Sequence, residues 1–422
     1  MRILLVNYRY FISGGPERYM FNIKELLEKN GHEVIPFSVQ SSRNEYSEYE
    51  KYFAKPIDNG DAVYYDDVKK TPKTILRLMG RSIYSFEVKR AIKKVICEAK
   101  PDVVYIIHFI NKLSPSVITG AKELGVPVVL RLSDFFLICP CCDFMHNRHI
   151  CEDCLKYGYK SCIKKKCIKD SLAASIIRVL AMKTHKWMKV YDKVDAFITP
   201  SNYLRQKLIS NGFDGKKIVC IPTFAKDTEI EDSSKTIIGD YGLYFGRISV
   251  EKGIETLIKA YKKMPDKNLV IMGDDSTSEA IRLKKYVGKK HLNNIDFIGF
   301  KSGNELEEVI QKARFVVIPS IWYDNLPNTA LEAFKYSKPI IASNIGSLPE
   351  IVNDKVNGLL FSPGNIEDLA DKIKMIENTE MLESLGHNSR HTYCNKYSEQ
   401  KHYRRLTRLF EKVVKLKNGN SI

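Results

Sequence analysis

Two α/β domains, each a parallel sheet covered by helices on both faces, are what this sequence predicts, and three observations predict them. Short apolar runs alternate with helical periods along most of the chain, as buried parallel strands and their crossover helices do. The runs fall into two blocks, parted by a polar stretch at 225–235. The glycine-, charge- and amide-bearing motifs follow predicted strand ends, where sheets of this kind bind ligands. The boundaries read as an N-terminal domain at 1–225, a C-terminal domain at 236–397 and a last helical segment at 398–422.

In chain order, the first block places strands at 3–6, 33–37, 103–107, 128–132, 196–199 and 218–221. The first strand leads into a turn carrying Gly14 and Gly15, then into a helix with apolar positions Met20, Ile23, Leu26 and Leu27 that stops at Gly31. Strand, glycine turn and helix open many nucleotide-binding domains, although the G-x-G-x-x-G fingerprint is absent. His108 follows the third strand, and Ser133-Asp134 the fourth.

Seven of the 10 cysteines then crowd into 139–167, at positions 139, 141, 142, 151, 154, 162 and 167. In an enzyme of a reducing compartment such a cluster reads as metal-binding before disulfide. Cys151-x₂-Cys154 has the spacing of two thiolates on one tetrahedral zinc, with Cys162 and Cys167 as the other pair and Cys139 as a substitute. The same spacing suits an iron–sulfur cluster or a redox-labile loop. A structural zinc leads, as a staple for the acceptor-side loop.

The second block places strands at 243–245, 269–272, 296–298, 315–318, 340–342 and 359–361. Gly246-Arg247 follows its first strand, and Lys252-Gly253 precedes a helix with apolar positions Ile254, Leu257, Ile258 and Tyr261. Gly246 permits close backbone approach, and fixed cations such as Arg247 and Lys252 suit a leaving diphosphate. After the fourth strand comes Asp324-Asn325-Leu326-Pro327-Asn328-Thr329, with Glu332 one turn on. Pro327 suits the first helical position, which leaves the amides of Asn328 and Thr329 pointing at an anion. Two carboxylates beside anion-binding amides fit a molecule that carries both phosphate and hydroxyls.

These motifs resemble the retaining glycosyltransferases of family four, whose GT-B fold sets two Rossmann-like domains face to face across a cleft. The family has Glu-x₇-Glu where this chain has Asp324-x₇-Glu332, and Gly-Arg-x₄-Lys-Gly where this chain has Gly246 through Gly253. By resemblance, Arg247 and Lys252 grip the diphosphate of a UDP- or GDP-sugar, Asp324 holds sugar hydroxyls and Glu332 the ribose. Gly14, Gly15, Gly246, Asn325, Leu326, Asn328 and Thr329 line the donor site, and the loop at Phe300 takes the base. The family's His-Asp-Tyr is replaced by Ser133-Asp134-Phe135, so His108 and Asp134 are read as cleft residues without a proton-transfer role. No Asp-x-Asp motif stands at a strand end, so no divalent metal is expected in the chemistry. The last segment, 399–417, is expected to cross back to the N-terminal domain. A sugar-nucleotide epimerase and a degenerate, non-catalytic subunit on the same fold are the rival readings.

Composition agrees with a globular chain, at 44% hydrophobic and 28% charged residues. No run of 18 apolar residues appears and the first strand is interrupted by Asn7 and Arg9, so neither a spanning helix nor a signal segment is expected. A net charge of +17 gathers around 68–94 and 164–189, mixed there with bulky apolar residues. That mixture suits a peripheral protein on the anionic inner face of a membrane, meeting a glycan or lipid-linked acceptor. Nucleic acid is not expected, because no recognised nucleic-acid module appears.

Overall fold

The computed structural model describes residues 1–58, 71–226 and 239–417. The first sheet is built from β1 (Arg2–Asn7), β2 (Glu33–Phe37), β3 (Val103–His108) and β4 (Val128–Arg131). A two-stranded ribbon, β5 (Met145–His146) and β6 (His149–Ile150), interrupts it, and β7 (Ala196–Thr199) and β8 (Ile218–Cys220) complete it. The second sheet contains β9 (Tyr241–Phe245), β10 (Asn268–Met272), β11 (Ile295–Phe297), β12 (Phe315–Ile318), β13 (Ile340–Ser343) and β14 (Gly358–Phe361). Strand orders are β2-β1-β3-β4-β7-β8 and β11-β10-β9-β12-β13-β14, and both sheets are parallel throughout. All twelve predicted sheet strands are present, with ends within two residues of those expected. The ribbon was not foreseen: two-residue strands carry no periodicity to read.

Alternation along each strand explains the two-sided burial. Leu4, Val6, Val104 and Ile106 face one layer of helices, while Ile3, Leu5, Val103 and Tyr105 face the other. That second face is covered by the helix Gly15–Lys29 and by the terminal helix Glu399–Lys417, whose Leu406, Leu409, Phe410 and Val413 pack there. The chain therefore leaves the first sheet, builds the second, and returns. His402 pins the return inside a buried chain of hydrogen bonds: one ring nitrogen lies 2.7 Å from the Pro222 carbonyl, the other 2.9 Å from the Tyr19 hydroxyl. Tyr19 in turn meets the Tyr105 hydroxyl at 2.8 Å.

One sequence expectation needs adjustment. Pro327 is not the first helical residue; its ψ of 125° is extended, and the helix runs Asn328–Lys335. The first helical bond is from the Ala330 amide to the Pro327 carbonyl, so the amides of Asn328 and Thr329 still lead. The polar stretch at 227–235 and the lysines at 69–70 lie outside the described residues.

Candidate active site

The two loops that carry the charged motifs are locked together by backbone. After β9 the chain turns at Gly246 (φ +138°) and again at Gly253 (φ +69°), which ends a short 3₁₀ turn. A Cβ on Gly253 would lie 1.9 Å from the Pro319 carbonyl oxygen, so only glycine lets this turn reach the end of β12. The Ile321 amide then donates to the Glu251 carbonyl at 2.9 Å. This stitching brings Lys252 Nζ within 2.8 and 3.0 Å of the two Asp324 carboxylate oxygens. Asp324, 5% exposed, also accepts from Ser320 Oγ at 2.5 Å, and its carbonyl accepts from the Ser347 amide. Lys252 and Asp324 thus form one buried unit, which spacing alone did not foresee.

Arg247 stands apart from that unit. Its side chain is 69% exposed and reaches 3.2 Å from Glu251, whose carboxylate also accepts from Ser249 Oγ. Three glycines at neighbouring strand ends make a flat floor beside it. Gly273 follows β10 and would place a Cβ 2.2 Å from the Gly246 carbonyl, while its amide donates to Gly299 at the end of β11. Gly273 escaped the sequence reading. Phe300, next to Gly299, is exposed.

Across the cleft, the glycine turn of the first domain meets the helix tip of the second. A Cβ on Gly15 would sit 3.9 Å from Asn328 Nδ2, and one on Gly246 3.7 Å from Thr329 Cγ2. Gly14 caps the helix behind that turn. Arg18, on the same helix, reaches Glu332 Oε1 at 3.4 Å. Burial raises the Glu332 pKa, and the nearby Arg18 and Lys335 oppose the rise. Arg18 was also missed, although its place one turn after Gly14 was a usable signal. Asn325 Nδ2 donates to the Ser133 carbonyl at 2.9 Å, a second contact between domains, and half-buried Leu326 packs on the second core.

His108 and Asp134 lie on the first domain's side. His108 is edge-on to Tyr8 at 4.9 Å, and burial, aided by Arg9 and Arg178, lowers its pKa to about 4. Burial pushes Asp134 up to about 6, against a hydrogen bond from the Phe136 amide. Among the described residues, buried polar atoms of His108 (Nδ1), Asn7 (Oδ1), Trp322 (Nε1) and Asn325 (Oδ1) have no hydrogen-bond partner. Such atoms mark places that a ligand or water fills.

Of the four cysteines expected on zinc, Cys151 accepts from Lys165 Nζ at 3.3 Å and the Cys167 amide donates to the Cys162 carbonyl at 3.1 Å; among the described residues, the ligand atoms that lie within 4.8 Å of one another are those of Cys139, Cys141 and Asp143. All ten cysteines are free of disulfides.

The family model described as Glycosyltransferase Family 4 matches residues 13–162, and that described as Glycosyl transferases group 1 matches residues 227–392. An uncharacterized glycosyltransferase of Methanocaldococcus jannaschii is 31% identical over 47% of this chain and 60% of its own length. The capsular polysaccharide biosynthesis glycosyltransferase CapM of Staphylococcus aureus is 25% identical over 58% of this chain and 72% of its own. The solved structure of Anabaena HepE in complex with UDP and glucose superposes with a TM-score of 0.62 at 16% identity, over 97% of this chain and 99% of that one. The structural likeness shows the GT-B fold.

Proposed function

The chain belongs to the family-four glycosyltransferases, and from that premise we propose that it moves a sugar from a nucleoside-diphosphate donor to a hydroxyl acceptor with retention of configuration. One observation carries the reading: the Lys252–Asp324 unit and the Asn328 helix tip stand together, with Gly15 opposite. The exposed Arg247 guanidinium and the Asn328 and Thr329 amides bind the diphosphate, and Lys252 meets it while holding Asp324. Positive groups fixed there stabilise charge that grows as the sugar leaves. Asp324 takes sugar hydroxyls, Glu332 the ribose, and Phe300 the base. On the shared face of the sugar, the departing phosphate oxygen takes the acceptor's proton, so a neutral His108 is no obstacle.

A uridine donor is supported by the bound UDP of HepE, and a polysaccharide acceptor by the name of CapM. Incubation with UDP- or GDP-sugars, with and without a lipid-linked or glycan acceptor, tests the reading. A new α-linked product from an α-linked donor supports it. Inverted product, or epimerised donor with no transfer, overturns it.

A peripheral place on an anionic membrane is part of the same reading. No described helix is long and apolar enough to cross a membrane. The helix Leu172–Trp187 buries Val179, Ala181 and Met182 together with Ser175, Arg178 and His185, and exposes a second apolar set, Leu172, Ile176, Leu180 and Trp187. His185 Nε2, 2.7 Å from the Ile83 carbonyl, joins it to the helix Pro72–Ile83, which exposes Ile75 and Leu76. Lys73, Arg77, Lys183 and Lys186 are exposed on these helices, as interfacial surfaces require. Co-sedimentation with anionic but not zwitterionic vesicles, weakened in Leu180→Asp/Trp187→Asp, is expected. Equal recovery with both vesicle types overturns the membrane part.

A further inference from the structure

One helix of the first domain, Asn202–Ile209, takes two contacts from the second. Ser201 begins it, its hydroxyl accepting from the Leu204 amide at 3.2 Å, and the amides of Asn202 and Tyr203 have no partner inside the helix. Both donate to the Glu350 carboxylate of the second domain, Asn202 at 2.7 Å. A carboxylate at a helix start meets the positive end of the helix dipole, and charge-assisted bonds of this kind fix geometry well.

The second contact lies one turn along. Tyr203 and Lys207, four residues apart and so on one helix face, form a box with Phe135 and Phe144, and Tyr323 of the second domain enters it. Its ring centre lies 5.2 Å from that of Tyr203, 6.2 Å from Phe144 and 6.4 Å from Phe135, with Lys207 Nζ 5.3 Å away. Its hydroxyl donates to Glu152 Oε1 at 2.8 Å, and Lys207 donates to the same oxygen at 2.6 Å. Tyr323 thus packs on the core of the opposite domain, while Leu326, three residues on, packs on its own. Glu152 comes from the cysteine segment, so that insertion supplies one wall of the box.

Both contacts converge on Asp324. Tyr323 precedes it in the chain. Glu350 reaches it through Ser347, whose carbonyl accepts from the Glu350 amide at 3.0 Å and whose amide donates to the Asp324 carbonyl at 3.0 Å. Gly346 leaves no slack between them: a Cβ there would lie 2.9 Å from the Asp324 carbonyl oxygen, at a φ of +61°. We infer that Tyr323 and Glu350 are positioning residues for sugar transfer, seating the Asp324 loop on the helix Asn202–Ile209 so that its carboxylate meets the donor sugar. The inference rests on the sugar-transfer reading for what Asp324 touches. Arg247 and the Asn328 and Thr329 amides belong to the second domain alone, so the diphosphate grip does not depend on this seat. Loss of the seat therefore lowers turnover and leaves diphosphate affinity in place.

Steady-state transfer, calorimetry with UDP and GDP, and amide hydrogen exchange on the full chain test this. In Tyr323→Leu, kcat should fall roughly 10²-fold with the diphosphate Kd held within about threefold, as misplacement of a group without loss of binding does. Tyr323→Phe keeps the ring and should recover most of that loss. Asn202→Pro removes one amide that Glu350 accepts from, at the first helical position and after an extended Ser201 (ψ 156°), where proline is tolerated. It should slow transfer, and Glu350→Ala/Asn202→Pro should be no slower than Glu350→Ala, because both act through one bond. Exchange at 321–326 should quicken in Tyr323→Leu and Glu350→Ala while β12 and β13 stay protected. Wild-type kcat in Tyr323→Leu, a loss of diphosphate affinity equal to the loss of kcat, additive effects in the double variant, or unchanged exchange at 321–326 overturns the inference. A wild type that transfers no sugar contradicts the sugar-transfer reading itself, and the exchange comparison then decides whether these residues seat the loop.

Discussion

At the residue scale, the Lys252–Asp324 pair decides most. Lys252→Ala removes a cation from the leaving group and also strands a buried carboxylate, so turnover and stability should both fall. Turnover is expected to drop roughly 10²–10³-fold, as when one electrostatic stabiliser is removed. Stability is expected to fall by about 3 kcal/mol, because an uncompensated charge remains inside. Steady-state kinetics and denaturant titration separate the two effects, and Lys252→Ala/Asp324→Asn should recover stability without activity. Gly253→Ala tests the backbone part of the same unit. Its methyl would meet Pro319 at 1.9 Å and its φ is +69°, so activity should collapse even though no charged group is altered. Wild-type turnover in Gly253→Ala would show that the turn does not place Lys252. These residues were partly legible beforehand: spacing identified Lys252, Gly253 and Asp324, because strand, loop and helix limits are local. Their mutual bond was not legible, since it depends on two loops about seventy residues apart being stitched by the Ile321 amide.

At the scale of elements, ten of the twelve sheet strands were readable because they bury both faces and so appear as short apolar runs, while the edge strands β8 and β11 each leave their middle residue exposed. The cysteine segment was readable only as composition, for its two-residue strands and short helices have no period. The helix Leu172–Trp187 shows why pattern alone is ambiguous: Val179, Ala181 and Met182 face inward while Leu172, Ile176, Leu180 and Trp187 face outward, and Arg178 turns inward to donate to the carbonyls of Phe136 and Pro140. The terminal helix is held by a polar chain that no pattern announces. His402→Leu leaves the Tyr19 hydroxyl and Pro222 carbonyl short of a partner, and a loss of about 1–3 kcal/mol is expected from denaturant unfolding. An unchanged midpoint would mean that Leu406 and Phe410 alone fix the helix.

For the whole molecule, buried histidines set the acid limit. Burial lowers His108 and His185 to about 4 and His402 to about 3. An unfolded histidine titrates near about 6.5, so between these values the unfolded chain binds more protons. Stability is therefore complete above about pH 6.5 and falls as pH drops toward 4, by on the order of 1–2 kcal/mol per histidine by pH 5. Asp134, raised to about 6, acts in the opposite sense over about pH 4–6 and only partly offsets them. Urea midpoints at pH 7 and pH 5 check the sign, and a higher midpoint at pH 5 would contradict it. The two-domain architecture was legible from the alternation of periods, whereas the contacts Arg18–Glu332 and Asn325–Ser133 belong to neither domain's own pattern and emerge only when the sheets face each other.

The proposed sugar transfer turns on a pyrophosphate clasped between the Arg247–Gly253 loop and the Asn328 helix tip. Calorimetric titration with UDP and GDP, set against uridine and guanosine, measures that grip. One diphosphate should bind at least tenfold more tightly than its nucleoside, and Arg247→Ala, at an exposed position that the fold does not need, should erase most of that margin. Equal affinity for diphosphate and nucleoside, or an undiminished margin in Arg247→Ala, would contradict it.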